Sequence, residues 1–123
     1  MMSAAITKYS KTFQPTSQEL VMIQTKLSCY SMFCTGIRKI EKEVYKFEKD
    51  HPEFQLNTYN NIFLMNGLRW DEEVMTKADV SNANGQVVMA LILGAIRAER
   101  FCDGTLKDFL ELGCIEKWLL RLQ

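Results

Sequence analysis

The sequence carries no excess charge of either sign: 15 basic residues balance 15 acidic ones, and the pI is near 6.6. Binders of duplex nucleic acid show a basic excess or a clustered basic face, so this balance disfavours that class. The one stretch that looks basic, Arg38–Lys49, is interrupted by Glu41, Glu43 and Glu48 and reads as a solvated, salt-bridged helix face. With only 6 glycines and 2 prolines and no low-complexity tract, the chain has little of what a loop-rich β fold or a disordered segment needs. Long apolar runs are missing too. The longest is Val87–Ile96, where a membrane span needs about twenty residues. The first residues, MMSAAITKYSKTF, hold no apolar core of a secretory signal, which makes a cytoplasmic location the expectation. There is a single histidine, His51, and the four cysteines (Cys29, Cys34, Cys102, Cys114) are spaced like no zinc module. They are expected as free, mostly buried thiols, with no metal and no cofactor. Phosphate-cradling glycine loops, HExxH, GxSxG and calcium-loop patterns are likewise missing, so the chain is not expected to be an enzyme.

What is present is hydrophobicity at helical spacing. The chain of 123 residues is 47% hydrophobic, enough for one continuous core. Residues 1–14 are weakly periodic and are expected as a poorly ordered arm ahead of a single helical domain over 15–123. Thr16-Ser17-Gln18-Glu19 after Pro15 fits a capping box and predicts a helix from Ser17 to Ser28 or beyond. Phe33, Ile37, Ile40, Val44 and Phe47 recur on one stripe with Lys and Glu opposite, and Pro52 ends that helix near Asp50. A short helix is predicted over Asn57–Met65, stopped by Gly67, and another over Asp71–Lys77. Asp79, Ser81 or Asn82 is expected to cap the helix that follows. Thr105 with Asp108 suggests a capping box for a helix over Thr105–Leu112. Ile115, Trp118, Leu119 and Leu122 then share one apolar face. The expected fold is all-α, a compact bundle of about six or seven helices around a buried central helix, 85–101.

That central helix is apolar all round from Val87 to Ile96 and so must be covered on most sides. Ala90, Gly94, Arg97 and Phe101 fall on one stripe at ~100° per residue, and Ala90 and Gly94 invite a close approach. Its last turn and a half becomes charged. Two readings of Arg97, Glu99, Arg100 and Asp103 stand side by side. In the plain one the helix emerges from the core and Arg100 pairs with Glu99, Asp103 or the helix-end carbonyls. In the sharper one these four line a polar pocket for an anionic ligand or an acidic partner, for which the planar guanidinium fork is suited. The aromatics, Phe101 included, read mainly as packing. Trp70, lying just before a cap, is the candidate contact anchor.

The segment ADVSN (78–82), the run VMALILGAIRAERFCDG (88–104), and Gly113-Cys114-Ile115 with Trp118-Leu119 and Arg121-Leu122 resemble the bacterial family DUF6508, as does the preceding NGLRW. The resemblance is close over Asn57–Leu122 and densest at GAIRAERFCDG. It implies a small, helical, cytoplasmic bacterial protein, carried in some cases on phage or other mobile DNA, and brings no activity or cofactor with it. The expected function is a non-enzymatic interaction or regulatory module that engages another protein or a second copy of itself. The alternatives are a small protein or enzyme acting on an anionic molecule through Arg97, Glu99, Arg100 and Asp103, and a weak nucleic-acid binder.

Overall fold

The computed structural model describes residues 14–15, 17–31 and 37–122. The expected N-terminal arm, apart from Gln14, lies outside the described residues, as do Thr16, Phe33 and Cys34. The described chain is all-α, with seven helices: α1 (Gln18–Ser31), α2 (Ile37–Asp50), α3 (Tyr59–Met65), α4 (Glu72–Lys77), α5 (Gly85–Glu99), α6 (Thr105–Glu111) and α7 (Cys114–Arg121). Two 3₁₀ turns, Pro52–Phe54 and Leu56–Thr58, link α2 to α3. No helix among the described residues is long and apolar enough to cross a membrane.

The apolar run makes α5 the hub. Every residue from Gly85 to Ile96 is buried, at a stabilisation of about 1.5–3 kcal/mol for each large aliphatic side chain. Helices α2, α3, α6 and α7 and the second 3₁₀ turn all pack on it, and α1 completes the bundle against α2 and α7. Gly94 is the point of closest approach. A Cβ built there would lie 2.9 Å from Phe63 Cζ on α3 and 3.2 Å from Met75 Cε on α4. The small residue read from the helical stripe therefore admits side chains of two neighbours.

The amphipathic stripes hold. Ile40, Val44 and Phe47 of α2 are buried, as are Ile115, Trp118, Leu119 and Leu122 at the C-terminus. Proline acts as expected: α2 stops at Asp50, and His51 has non-helical angles (φ −128°, ψ 66°). The Asp71 carboxylate caps α4 by accepting from Val74 N–H at 3.1 Å. The cap of α5 is a correction. Asn84, not Asp79, Ser81 or Asn82, accepts from Val87 N–H, at 3.0 Å. Gln86, buried on the first turn of α5, donates to the Phe54 carbonyl at 2.8 Å and ties the hub to the first 3₁₀ turn. The thiols are a second correction: Cys114 is buried, but Cys29 and Cys102 are exposed.

Asp79 turns the chain instead. Its Oδ1 accepts from the Ser81 N–H at 3.0 Å and from the Ser81 hydroxyl at 2.8 Å. The backbone bond first, the hydroxyl second and, more weakly, the nearby Lys117 ammonium hold its carboxyl below the ordinary value, against a small opposing effect of burial. A lowered pKa adds stability that is present above the unfolded value and lost as pH falls through the folded one. Ser81→Ala is therefore expected to raise the Asp79 midpoint in a carboxyl-carbon NMR titration. An unmoved midpoint would show that the Ser81 hydroxyl does not hold the carboxylate.

Candidate functional site

The five residues singled out from the sequence do not act as one cluster. The end of α5 separates them by task.

Glu99 is structural. After α5 ends, the chain reverses through 100–104, and Gly104 adopts φ +93°, a left-handed conformation that favours glycine. This turn brings the start of α6 back over the Glu99 side chain. The carboxylate accepts from Gly104 N–H at 3.1 and 3.2 Å through its two oxygens, and from Leu106 N–H at 2.9 Å. It thus supplies the cap of α6 from another helix. The expected capping box is overturned: Gly104 holds the N-cap position with no side-chain cap, and the Thr105 hydroxyl donates to the Cys102 carbonyl at 2.7 Å. Neither arginine has an ion pair with Glu99 among the described residues. Asp103 lies exposed on the turn, with no ion pair among the described residues.

The arginines face α2 instead. Arg97 Cζ lies 5.5 Å from the centroid of the Tyr45 ring and Arg100 Cζ lies 5.3 Å from it. One electron-rich ring thus serves two guanidinium groups, within the range where such contacts are attractive. Arg97 also makes a loose ion pair with Glu48, 3.9 Å between Nη2 and Oε1. The expected pairing of Arg100 with Glu99 or Asp103 is corrected: its guanidinium lies over an aromatic face instead. Two buried atoms in this cluster, Arg97 Nε and Tyr45 Oη, have no hydrogen-bond partner among the described residues.

Trp70 joins this cluster to an apolar groove. It is half-buried, and its Nε1–H donates to the Gly94 carbonyl at 3.0 Å, so α5 fixes its orientation. Its ring meets Tyr59 edge-on at 5.6 Å on one side and Phe101 edge-on at 5.6 Å on the other. Phe101 is the surprise. The helical stripe placed it with the core, but α5 ends at Glu99, and the side chain on the turn beyond is 79% exposed. A groove of about 230 Å³ opens beside it, lined by Trp70, Met75, Ala98, Phe101 and Phe109 and also by Asp71 and Glu72. Phe101 could have been found from the sequence only by placing the helix end two residues earlier.

Tyr59 records how these parts meet. Its hydroxyl is pushed above the ordinary range, mainly by burial; the Arg97 charge opposes this, and Tyr45 adds to it. The stability linked to its neutral form is present below the unfolded value and lost as pH rises through the folded one. In an ultraviolet titration, Tyr59→Phe should remove a late-ionising phenol, and Arg97→Gln should delay that phenol further. An Arg97→Gln curve shifted to lower pH would contradict the placement of Arg97 beside Tyr59.

The family model for DUF6508, a family of unknown function, matches residues 4–123. The chain belongs to this family. The match reaches well beyond the stretch 57–122 where the resemblance is closest, so the N-terminal segment is part of the family pattern as well. No curated protein and no solved structure matches the chain. Among the described residues, no group of three or more His, Cys, Asp and Glu side chains is placed to hold a metal ion. Chemically, the surface offers guanidinium, phenol, indole and phenyl groups. These recognise and grip, and the best-placed carboxylate at this end of α5 is engaged with backbone N–H groups.

Proposed function

We propose that this chain is a non-enzymatic interaction or regulatory module of a bacterium or its mobile DNA, working in the cytoplasm. It engages another protein, or a second copy of itself, through Trp70, Arg97, Arg100 and Phe101, with Asp103 at the rim. The observation that carries this reading is Phe101, which holds a large apolar ring in water beside Arg100 and an indole. Aromatic and arginine side chains dominate the binding energy of protein interfaces, and an exposed phenyl ring does nothing for the core. A photo-crosslinking phenylalanine analogue installed at position 101 should give a discrete adduct in cells. That adduct should disappear with Arg100→Ala and should not form from position 22, where the exposed Met22 serves as an apolar control. An adduct of twice the chain's mass would identify a second copy as the partner. Adducts that are identical from both positions, or missing from both, would sink the proposal.

A second reading, a small anionic ligand held by the arginines, is favoured by the two guanidinium groups on one ring. A thermal-shift screen with nucleotides, sugar phosphates and carboxylates tests it, since a ligand selective for the native state raises stability.

A further inference from the structure

The charges around Tyr45 do not balance. Arg97 and Arg100 both lie over its ring, whereas among the described residues the single carboxylate paired with either is Glu48, and it reaches only Arg97, at 3.9 Å. Glu99, the other carboxylate on the same turn, is directed at the Gly104 and Leu106 N–H groups. One guanidinium equivalent is left over, and its planar fork suits a carboxylate. Arg100 is exposed, so its donors are within reach of an incoming group.

Next to this positive end runs an aromatic ridge, Tyr59–Trp70–Phe101, which leads to the groove. The groove measures about 230 Å³, and a dry cavity of about 150 Å³ already takes up a benzene-sized ring. It can therefore seat one large apolar side chain. Asp71 and Glu72 also line it. A carboxylate is repelled there and drawn to the Arg97–Arg100 side, which sets the direction in which a mixed segment lies down.

We infer that the partner segment bound at this surface is an acidic–apolar peptide, with an Asp or Glu carboxylate held by Arg97 and Arg100 over Tyr45 and a neighbouring aromatic or large aliphatic side chain seated against Trp70 and Phe101. The inference rests on the interaction reading above and specifies its partner.

Selection of a random peptide library displayed on phage against the purified chain tests it. The enriched sequences should place Asp or Glu within a few residues of Phe, Trp, Leu or Met. A synthetic peptide of the enriched sequence should bind about tenfold or more weakly to Arg100→Gln and to Phe101→Ala, the scale of a single interface hot spot. Its Asp→Asn or Glu→Gln counterpart should lose a similar factor, while Lys26→Gln on α1 leaves binding unchanged. Circular dichroism confirms that each variant is folded. Purely apolar or basic peptides whose binding depends on Phe101 but not on Arg100 would overturn the acidic assignment and leave the interaction reading standing. Peptides indifferent to both residues, or no enrichment at all, would overturn both.

Discussion

Gly94→Val is expected to destabilise the protein by about 3 kcal/mol in urea unfolding, the upper part of the range for overpacking a tight core. Valine in a helix is favoured over glycine by roughly half a kcal/mol, so propensity alone would predict a small gain. The steric term is larger. Even the first added carbon would stand 2.9 Å from Phe63 Cζ and 3.2 Å from Met75 Cε. Both neighbours are fully buried, and Phe63 is further held edge-on to Tyr59 at 5.9 Å, so its ring cannot simply swing aside, whereas the flexible end of Met75 can give more readily. The valine methyls would also displace α3 and α4 from α5. Gly94→Ala should cost less, about 1 kcal/mol, because alanine's better helix propensity offsets part of the clash. Phe63→Leu should recover part of the Gly94→Ala loss, since adjacent sites couple in a double-mutant cycle. A Gly94→Val protein as stable as the parent would show that the α3–α5 contact is looser than described.

Glu99→Ala is the next largest effect. The carboxylate satisfies two backbone donors of the turn and of α6, Gly104 N–H and Leu106 N–H. Hydrogen bonds to a charged group contribute about 1.5–3 kcal/mol, and donors left without a partner add their own cost. Because Glu99 is only partly buried and water can reach the turn, a loss of about 2 kcal/mol is expected from thermal or urea unfolding. Glu99→Gln should fall between, since its amide oxygen still accepts but carries no charge for the helix end. A loss below about 0.5 kcal/mol from Glu99→Ala would mean that α6 starts correctly without it.

How far the sequence could be read depended on whether an interaction was local. The hub was legible because ten consecutive apolar or small residues admit only a surrounded helix. The α7 stripe and the Asp71 cap were legible because their partners lie within one turn. The Asn84 cap was missed because SNANG offers two asparagines, and the local pattern does not choose between them. The division of the charged turn could not be read at all. Glu99 finds its donors only after the chain reverses at Gly104, and Arg97 and Arg100 find Tyr45 only once α2 packs on α5. Phe101 falls on the core stripe only if the helical wheel runs past Glu99; because α5 ends there, it is instead the most exposed aromatic side chain among the described residues.

The end of α5 holds two kinds of residue: Glu99, which the fold needs, and Arg100 with Phe101, which the fold does not need. Urea unfolding of the three single alanine variants tests this most directly. Arg100→Ala is predicted to cost less than about 1 kcal/mol, the scale of an exposed contact between a cation and an aromatic face. Phe101→Ala should cost less than about 1 kcal/mol, the scale of its edge contact with Trp70, while Glu99→Ala loses about 2 kcal/mol. If Arg100→Ala and Phe101→Ala instead cost as much as Glu99→Ala, the exposed ring and its arginine would be structural, and the proposed working surface would lose its basis.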